Sequence, residues 1–308
     1  MRTVLIAAAV ITAATLSSSG REPQANPTNP DARLLAGAID IHVHATPDDR
    51  PRSVDAIEVA RLAHARGMRA IVLKNHYEST AGIAFLVRKV VPDMQVFAGI
   101  DLNLTVGGMN PAAVEHMTKV SGGWGRMVWM STFDAENQVR YSKEDRPFVR
   151  VAQNGALLPE AKSVIGVIAK HGLVLATGHT SPAEALLLLE EGRRAGARSM
   201  VVTHAMNAPV LMTVEQMQQA ARLGAFIEFV GGSMRDSDAD ARVTRFANAI
   251  HAIGPASCIL SSDLGQANNP VPPDGFGAFL SALRAKGISE ADITRMSKEN
   301  PARILGLQ

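Results

Sequence analysis

A single cysteine, Cys258, stands in the 308 residues. That excludes an internal disulfide framework and any zinc site built from several thiolates. Aromatic residues make up only 4% of the chain, so stacking platforms for bases or sugars are scarce. There is no Lys/Arg-rich run and the formal net charge is +2, a poor match to a nucleic-acid-binding surface. The longest apolar stretch, at the N-terminus, falls short of the ~20 residues that a transmembrane helix needs, so no stable membrane span is expected. No G-x-G-x-x-G follows the first strand-like run, which removes the usual dinucleotide fingerprint. What remains is 46% hydrophobic and 19% charged, a composition that folds and has the length for one large domain or two small ones.

The first twenty residues, MRTVLIAAAVITAATLSSSG, place one arginine before a short apolar segment and small residues after it. This is the layout of a secretory signal peptide, with an exported protein, periplasmic or secreted, as its consequence. An uncleaved anchor or a disordered tail is the alternative. Residues 21–36 carry three prolines and read as a linker, with the folded body spanning 37–308.

Within the body one pattern recurs eight times. Apolar runs at 38–43, 69–74, 95–101, 126–131, 173–178, 199–204, 225–230 and 258–263 alternate with amphipathic segments such as SVDAIEVARLAHARG and SPAEALLLLEEGRRAG. Runs rich in Val, Ile and Leu with little polar alternation suit strands covered on both faces, as in a parallel sheet. Eight βα units over this length predict an α/β fold, a (β/α)8 TIM barrel; an open doubly wound sheet is the alternative. The fourth step is the longest. Its extra residues, 132–158, mix Phe133, Asp134, Tyr141, Lys143, Arg146, Phe148 and Arg150 and follow a strand end, so they are expected to close over the active face.

The nine histidines divide into two groups. His64, His116, His171 and His251 fall in or beside helical segments and read as surface or helix-end residues. His42, His44, His76, His179 and His204 sit at or just past strand C-termini, the end of a barrel that holds active sites. Residues two apart in a strand point the same way, so His42 and His44 project together, with Asp40 in the same phase one layer deeper. Asp263 closes the eighth run. Neutral imidazoles with a carboxylate are ordinary ligands for zinc and similar divalent ions.

His-x-His on the first strand, His179 on the fifth, His204 on the sixth and Asp263 on the eighth resemble the amidohydrolase superfamily of metal-dependent hydrolases. KENPARILGL is similar to that superfamily's closing segment, and GHTSPAEAL with VVTHAMNAP to stretches of its amino-sugar deacetylases. The resemblance implies one or two divalent ions, with zinc the expected metal, held by His42, His44, His179, His204 and Asp263. It also gives Asp263 the proton-shuttling role, with His179 and His204 beside it in the catalytic set.

One position departs from the pattern. Many binuclear members carry a carboxylated lysine or a glutamate at the end of strand four, where this chain reads RMVWMST. Lys74 ends the second run instead and is a candidate bridge between two ions if carboxylated. A lysine paired with Asp40 or Asp263, or one binding an anionic substrate, stays open. His76 shares its phase and is read as a ligand, a substrate contact or a loop cap; Asn207 is a possible substrate contact. Glu228 either lines the barrel or pairs elsewhere. Asp48 and Asp49 read as loop-capping or solvated, and Cys258 as core filler.

The chemistry implied is hydrolysis of an amide, cyclic amide, ester or lactone in a small-molecule substrate by a metal-activated water. The alternatives are a one-metal lyase of decarboxylase type on the same barrel, and an exported non-catalytic binding protein. A homo-oligomer is compatible with either enzyme reading.

Overall fold

Alternate residues of each apolar run face opposite sides, and the chain uses both sides. In the computed structural model, which describes residues 30–308, the runs form eight parallel strands: β1 (Ile39–Val43), β2 (Ala70–Leu73), β3 (Gln95–Asp101), β4 (Gly125–Trp129), β5 (Val174–Ala176), β6 (Ser199–Val202), β7 (Phe226–Val230) and β8 (Cys258–Ser261). Ala70 and Val72 of β2 join Phe97, Trp129, Val174, Val201 and Ile259 in an inner cluster. Their neighbours Ile71 and Leu73 join the larger cluster shared with the surrounding helices. This is the two-layer core of a (β/α)8 barrel, as the run pattern predicted. Burial on both faces explains why the strands read as continuous apolar runs.

Strand order follows chain order from β1 to β8. The ring closes at the end of β1 and just past the end of β8, where the Asp263 amide donates to the His42 carbonyl at 3.0 Å and the His44 amide to the Leu264 carbonyl at 2.9 Å. Closure therefore sets the eighth run's aspartate directly against the first run's histidines. Several strands stop short of the bounds read from sequence: β5 ends at Ala176, β6 at Val202 and β8 at Ser261. The polar residues that follow lie in the first turn past each strand, where the ladder gives way to loops.

Local signals fix where helices restart. Ser181 and Glu184 form a capping box at the head of Pro182–Ala195, and Thr213 with Gln216 does the same for Val214–Arg222. The boxes begin two residues past His179 and nine past His204 and limit how far each loop can wander.

Two expectations need adjusting. The segment expected as a linker through residue 36 ends in a helix, Pro30–Leu35, whose Leu34 and Leu35 are buried in the outer core. The ordered body thus begins before Gly37, because this short apolar turn packs on the helix Pro272–Ala285. The proposed signal segment, 1–20, lies outside the described residues. The long fourth connection is also not irregular throughout: it holds a helix, Glu136–Tyr141, and a two-stranded ribbon pairing Ala152–Gln153 with Ala156–Leu157. Among the described residues no helix is long and apolar enough to cross a membrane.

Candidate metal centre

His42 lies near the end of β1 itself, His44 just past its end, and the turn after β8 carries Asp263. Asp263 Oδ1 lies 3.2 Å from His42 Nε2 and 3.1 Å from His44 Nε2. Among the described residues, these three form the group whose ligand atoms all fall within 4.8 Å of one another. The register between β1 and β2 shifts between Asp40 and Val43, where β1 meets this turn. Asp40 sits below, and its Oδ1 accepts the amides of His42 at 3.1 Å and Ser262 at 3.0 Å across the β1–β8 seam.

Backbone geometry at the site is unusual. His204 and Asp263 have φ of 27° and 52°, the left-handed region that non-glycine residues rarely occupy. Such outliers concentrate at functional sites because the surroundings must hold them there. Two glycines permit the tight turns. A Cβ on Gly178, just before His179, would meet the Met130 carbonyl oxygen at 2.2 Å, and one on Gly265 would meet the His44 carbonyl oxygen at 2.0 Å.

The five strand-end histidines are gathered into one ring. Successive ring centroids are 5.3 Å apart for His42–His44, 5.0 Å for His44–His76, 6.3 Å for His76–His179, 4.8 Å for His179–His204 and 6.0 Å for His204–His42. All five are buried. The other four histidines lie on the helices Ala56–Ala65, Pro111–Lys119, Pro159–His171 and Ala239–Ile253, as their spacing predicted.

Two of these rings are held by side chains that fix which nitrogen faces inward. His42 Nδ1 lies 3.2 Å from Glu228 Oε1, and Glu228 Oε2 also accepts the His204 amide at 2.9 Å. His179 Nδ1 lies 2.7 Å from Gln138 Oε1 on the helix of the long fourth connection. A ring that donates from Nδ1 keeps its Nε2 lone pair for a cation, the usual outer-shell arrangement of metal-binding histidines. Glu228, left open between a lining and an outward position, is thus buried against the centre. Gln138 was not singled out at all, because one amide on a loop helix carries no periodic signal.

Lys74 stands just past β2, and its Nζ lies 3.0 Å from Asp101 Oδ2 with both side chains fully buried. Asp101, the last residue of β3, is neither of the carboxylates considered for this lysine. It had the same mark as the histidines, a polar residue ending an apolar run. Strand four contributes an aromatic face where the superfamily pattern has a ligand: the Trp129 ring is 5.4 Å from Lys74 Nζ and 6.3 Å from the His42 ring. His76 Nδ1 lies 3.0 Å from Thr132 Oγ1. Asn207 follows the His204 turn half-buried, and its Oδ1 has no hydrogen-bond partner. Of the two roles open to Asp48 it takes loop-capping: its Oδ1 accepts the Asp49 amide at 2.7 Å and its Oδ2 accepts from Arg52 Nε at 2.6 Å. Cys258 is buried, as expected.

A roof covers the ring. Phe133, from the fourth connection, lies 4.0 Å from the His76 ring and 5.7 Å from that of His179, and the Arg50 guanidinium sits 4.6 Å above Phe133. Arg146 fastens this turn through Asp134 Oδ1 and the Phe133 carbonyl, each at 2.6 Å.

Burial sets the charge states. It lowers His44 to about 3 and holds His76, His179 and His204 below the ordinary histidine value. Most of the ring is therefore neutral, the form that binds metal. His42 moves the other way: burial disfavours its cation, but Asp263 and Glu228 outweigh that and raise it. Burial would raise Asp263, yet His42, His44 and His204 hold it well below the carboxylate range. The residues fit a divalent cation. Two imidazoles and a carboxylate converge, His44 is neutral and Asp263 ionised, and buried His44 Nδ1 and His204 Nδ1 have no hydrogen-bond partner within the protein.

Comparison with known proteins follows the same lines. The profile described as Family of unknown function (DUF6282) matches residues 37–228, which include the five ring histidines, Lys74, Asp101 and Glu228 but not Asp263. No curated protein sequence matches the chain. Among solved structures, it is similar to an amidohydrolase from Pseudomonas aeruginosa, with a TM-score of 0.62 at 14% identity over 89% of this chain and 98% of that one. It is also similar to the phosphotriesterase homology protein from Escherichia coli, complexed with phosphate in its active site, with a TM-score of 0.58 at 16% identity over 87% and 98%. A third is a 2,6-dihydroxybenzoate decarboxylase complexed with 2,6-dihydroxybenzoate, with a TM-score of 0.56 at 14% identity over 88% and 100%. The neighbours belong to the amidohydrolase superfamily, and this chain has their fold, as the sequence resemblance implied.

Proposed function

The chain belongs to the Family of unknown function (DUF6282), and from the geometry of its centre we propose that it is a divalent-metal-dependent hydrolase of amidohydrolase type acting on a small molecule. The observation that carries this reading is the convergence of His42, His44 and Asp263 in a buried, histidine-lined barrel mouth. These three residues would hold the ion, with His179 and His204 facing it across the ring. Zinc suits this donor set.

When bound there, a divalent ion would supply an acidified water and polarise a substrate oxygen. Glu228 and Gln138 keep His42 and His179 in the tautomer with Nε2 facing inward. Asp263, ionised and partly open to the mouth, accepts a proton from the attacking water and returns it to the leaving group. His204, whose Nδ1 has no partner to fix its tautomer, can donate to the oxyanion that develops on the substrate. Phe133 and Arg50 exclude bulk water from above. The bond cleaved is an amide, cyclic amide, ester or lactone. The segment 1–20 is read as an export signal, placing the enzyme outside the cytoplasm; intact-mass analysis of the cell-envelope fraction tests that.

A second reading, a one-metal lyase, is favoured by one observation: strand four supplies Trp129 rather than a ligand. The similar decarboxylase bound to 2,6-dihydroxybenzoate supports keeping it. A panel of lactones, cyclic amides and esters, run beside 2-carboxy aromatics with the zinc-loaded protein, separates the two. Turnover of a member of the first group supports hydrolysis; release of CO2 from the second, with no hydrolysis, replaces it by the lyase.

A further inference from the structure

Lys74 is committed to a carboxylate. Its Nζ lies 3.0 Å from Asp101 Oδ2, and neither side chain has exposed surface. The same Oδ2 accepts from Thr132 Oγ1 at 2.9 Å. Thr132 Oγ1 in turn accepts from Asn103 Nδ2 at 2.7 Å and lies 3.0 Å from His76 Nδ1. A hydroxyl has one proton, and Thr132 gives it to Asp101, so the His76 ring must donate from Nδ1 to the threonine oxygen. The 3.4 Å approach of Lys74 Nζ to that same nitrogen is then a contact between two donors, and Asp101 is the acceptor that holds the lysine. The other oxygen of Asp101 is buried with no hydrogen-bond partner, so its charge is balanced chiefly through Lys74.

This arrangement opposes the chemistry of a bridging lysine. Carboxylation joins the lone pair of a neutral Nζ to the carbon of CO2 and releases one proton to solvent. The product is an anion. Here it would stand against Asp101 in a site closed to water, where two like charges repel strongly. Two cations a few ångströms apart need an anionic bridge between them. The donor atoms agree: the fully convergent set found among the described residues is His42, His44 and Asp263.

We propose that Asp101 holds Lys74 as an ammonium ion, so that the centre takes one divalent ion and not a carbamate-bridged pair. The inference rests on the metal-dependent reading above and makes Asp101 and Lys74 positioning residues.

The test is metal content per chain by elemental analysis of full-length protein grown with zinc, together with 13C NMR of the protein equilibrated with 13C-bicarbonate. The wild type should hold one ion per chain and give no carbamate carbon. The double variant Lys74→Met/Asp101→Asn removes both charges together, which leaves no buried charge unpaired. It should still hold one ion, because Lys74 is not a ligand. Two ions or a carbamate signal in the wild type, or loss of the ion from a folded double variant, overturns the inference while leaving a metal enzyme. A wild type that binds no ion at all overturns the metal-dependent reading itself, and the inference with it.

Discussion

Glu228 Oε1 lies 3.2 Å from His42 Nδ1 and decides which nitrogen of that ring can face a cation. The glutamate comes from the middle of β7, on the far side of β8 from the histidine in the closed ring. Glu228→Gln keeps an oxygen in place but removes its charge. Zinc affinity should fall by roughly 10–100-fold, the usual effect of losing such a partner. Competition against a chelator of known affinity measures it; unchanged affinity would show that Glu228 merely fills space.

The centre was legible in the sequence where periodicity and strand ends coincide. His42 and His44 are two apart at the end of a β run, and His179, His204 and Asp263 each follow another. Those patterns are local, and a barrel puts all strand ends on one face. Glu228 and Asp101 were less legible, because their partners are 186 and 27 residues away and only barrel closure brings them together. Lys74 drew notice as a charge at the end of an apolar run. Its partner could not be named until strand order was known, so a bridging role and a salt-bridged role stayed open together. The helix and ribbon of the fourth connection were missed because short elements there hold their shape through long-range contacts, such as Asn137 Nδ2 to the His179 and Pro209 carbonyls, both at 3.0 Å.

Asp263 is asked both to hold the ion and to move a proton. Asp263→Asn retains one ligating oxygen and loses the base. It should keep much of the metal while kcat falls by ~10²-fold or more on whichever substrate the panel identifies. A fully active Asp263→Asn protein would end the proposed hydrolytic mechanism.

Asp40 gives a pH signature in metal-stripped protein. Burial raises its carboxyl to about 6 from 3.8. A carboxyl with a raised folded pKa holds its proton more tightly when folded, so its contribution to stability is full below pH 3.8 and lost as pH rises through about 6. At roughly 1.4 kcal/mol per pH unit, the loss is about 3 kcal/mol. Asp40→Asn keeps an acceptor for the His42 and Ser262 amides and cannot ionise. Urea unfolding should therefore show the variant gaining on the wild type between pH 4 and pH 7. Parallel stability curves would mean that Asp40 is not buried in this way.

Phe133 is the roof residue nearest the histidines, 4.0 Å from the His76 ring. Phe133→Ala should leave metal capacity unchanged yet speed metal loss to a chelator several-fold, and raise KM more than it lowers kcat. Unchanged release and kinetics would make the fourth connection a surface excursion.

The most direct test of the centre is an anomalous-difference map, recorded at the zinc edge, from crystals of the zinc-loaded protein. A single strong peak should lie ~2.0–2.2 Å from a ring nitrogen of His42, a ring nitrogen of His44 and a carboxylate oxygen of Asp263. No peak at the barrel mouth, or one whose ligands exclude these three residues, would contradict the assignment.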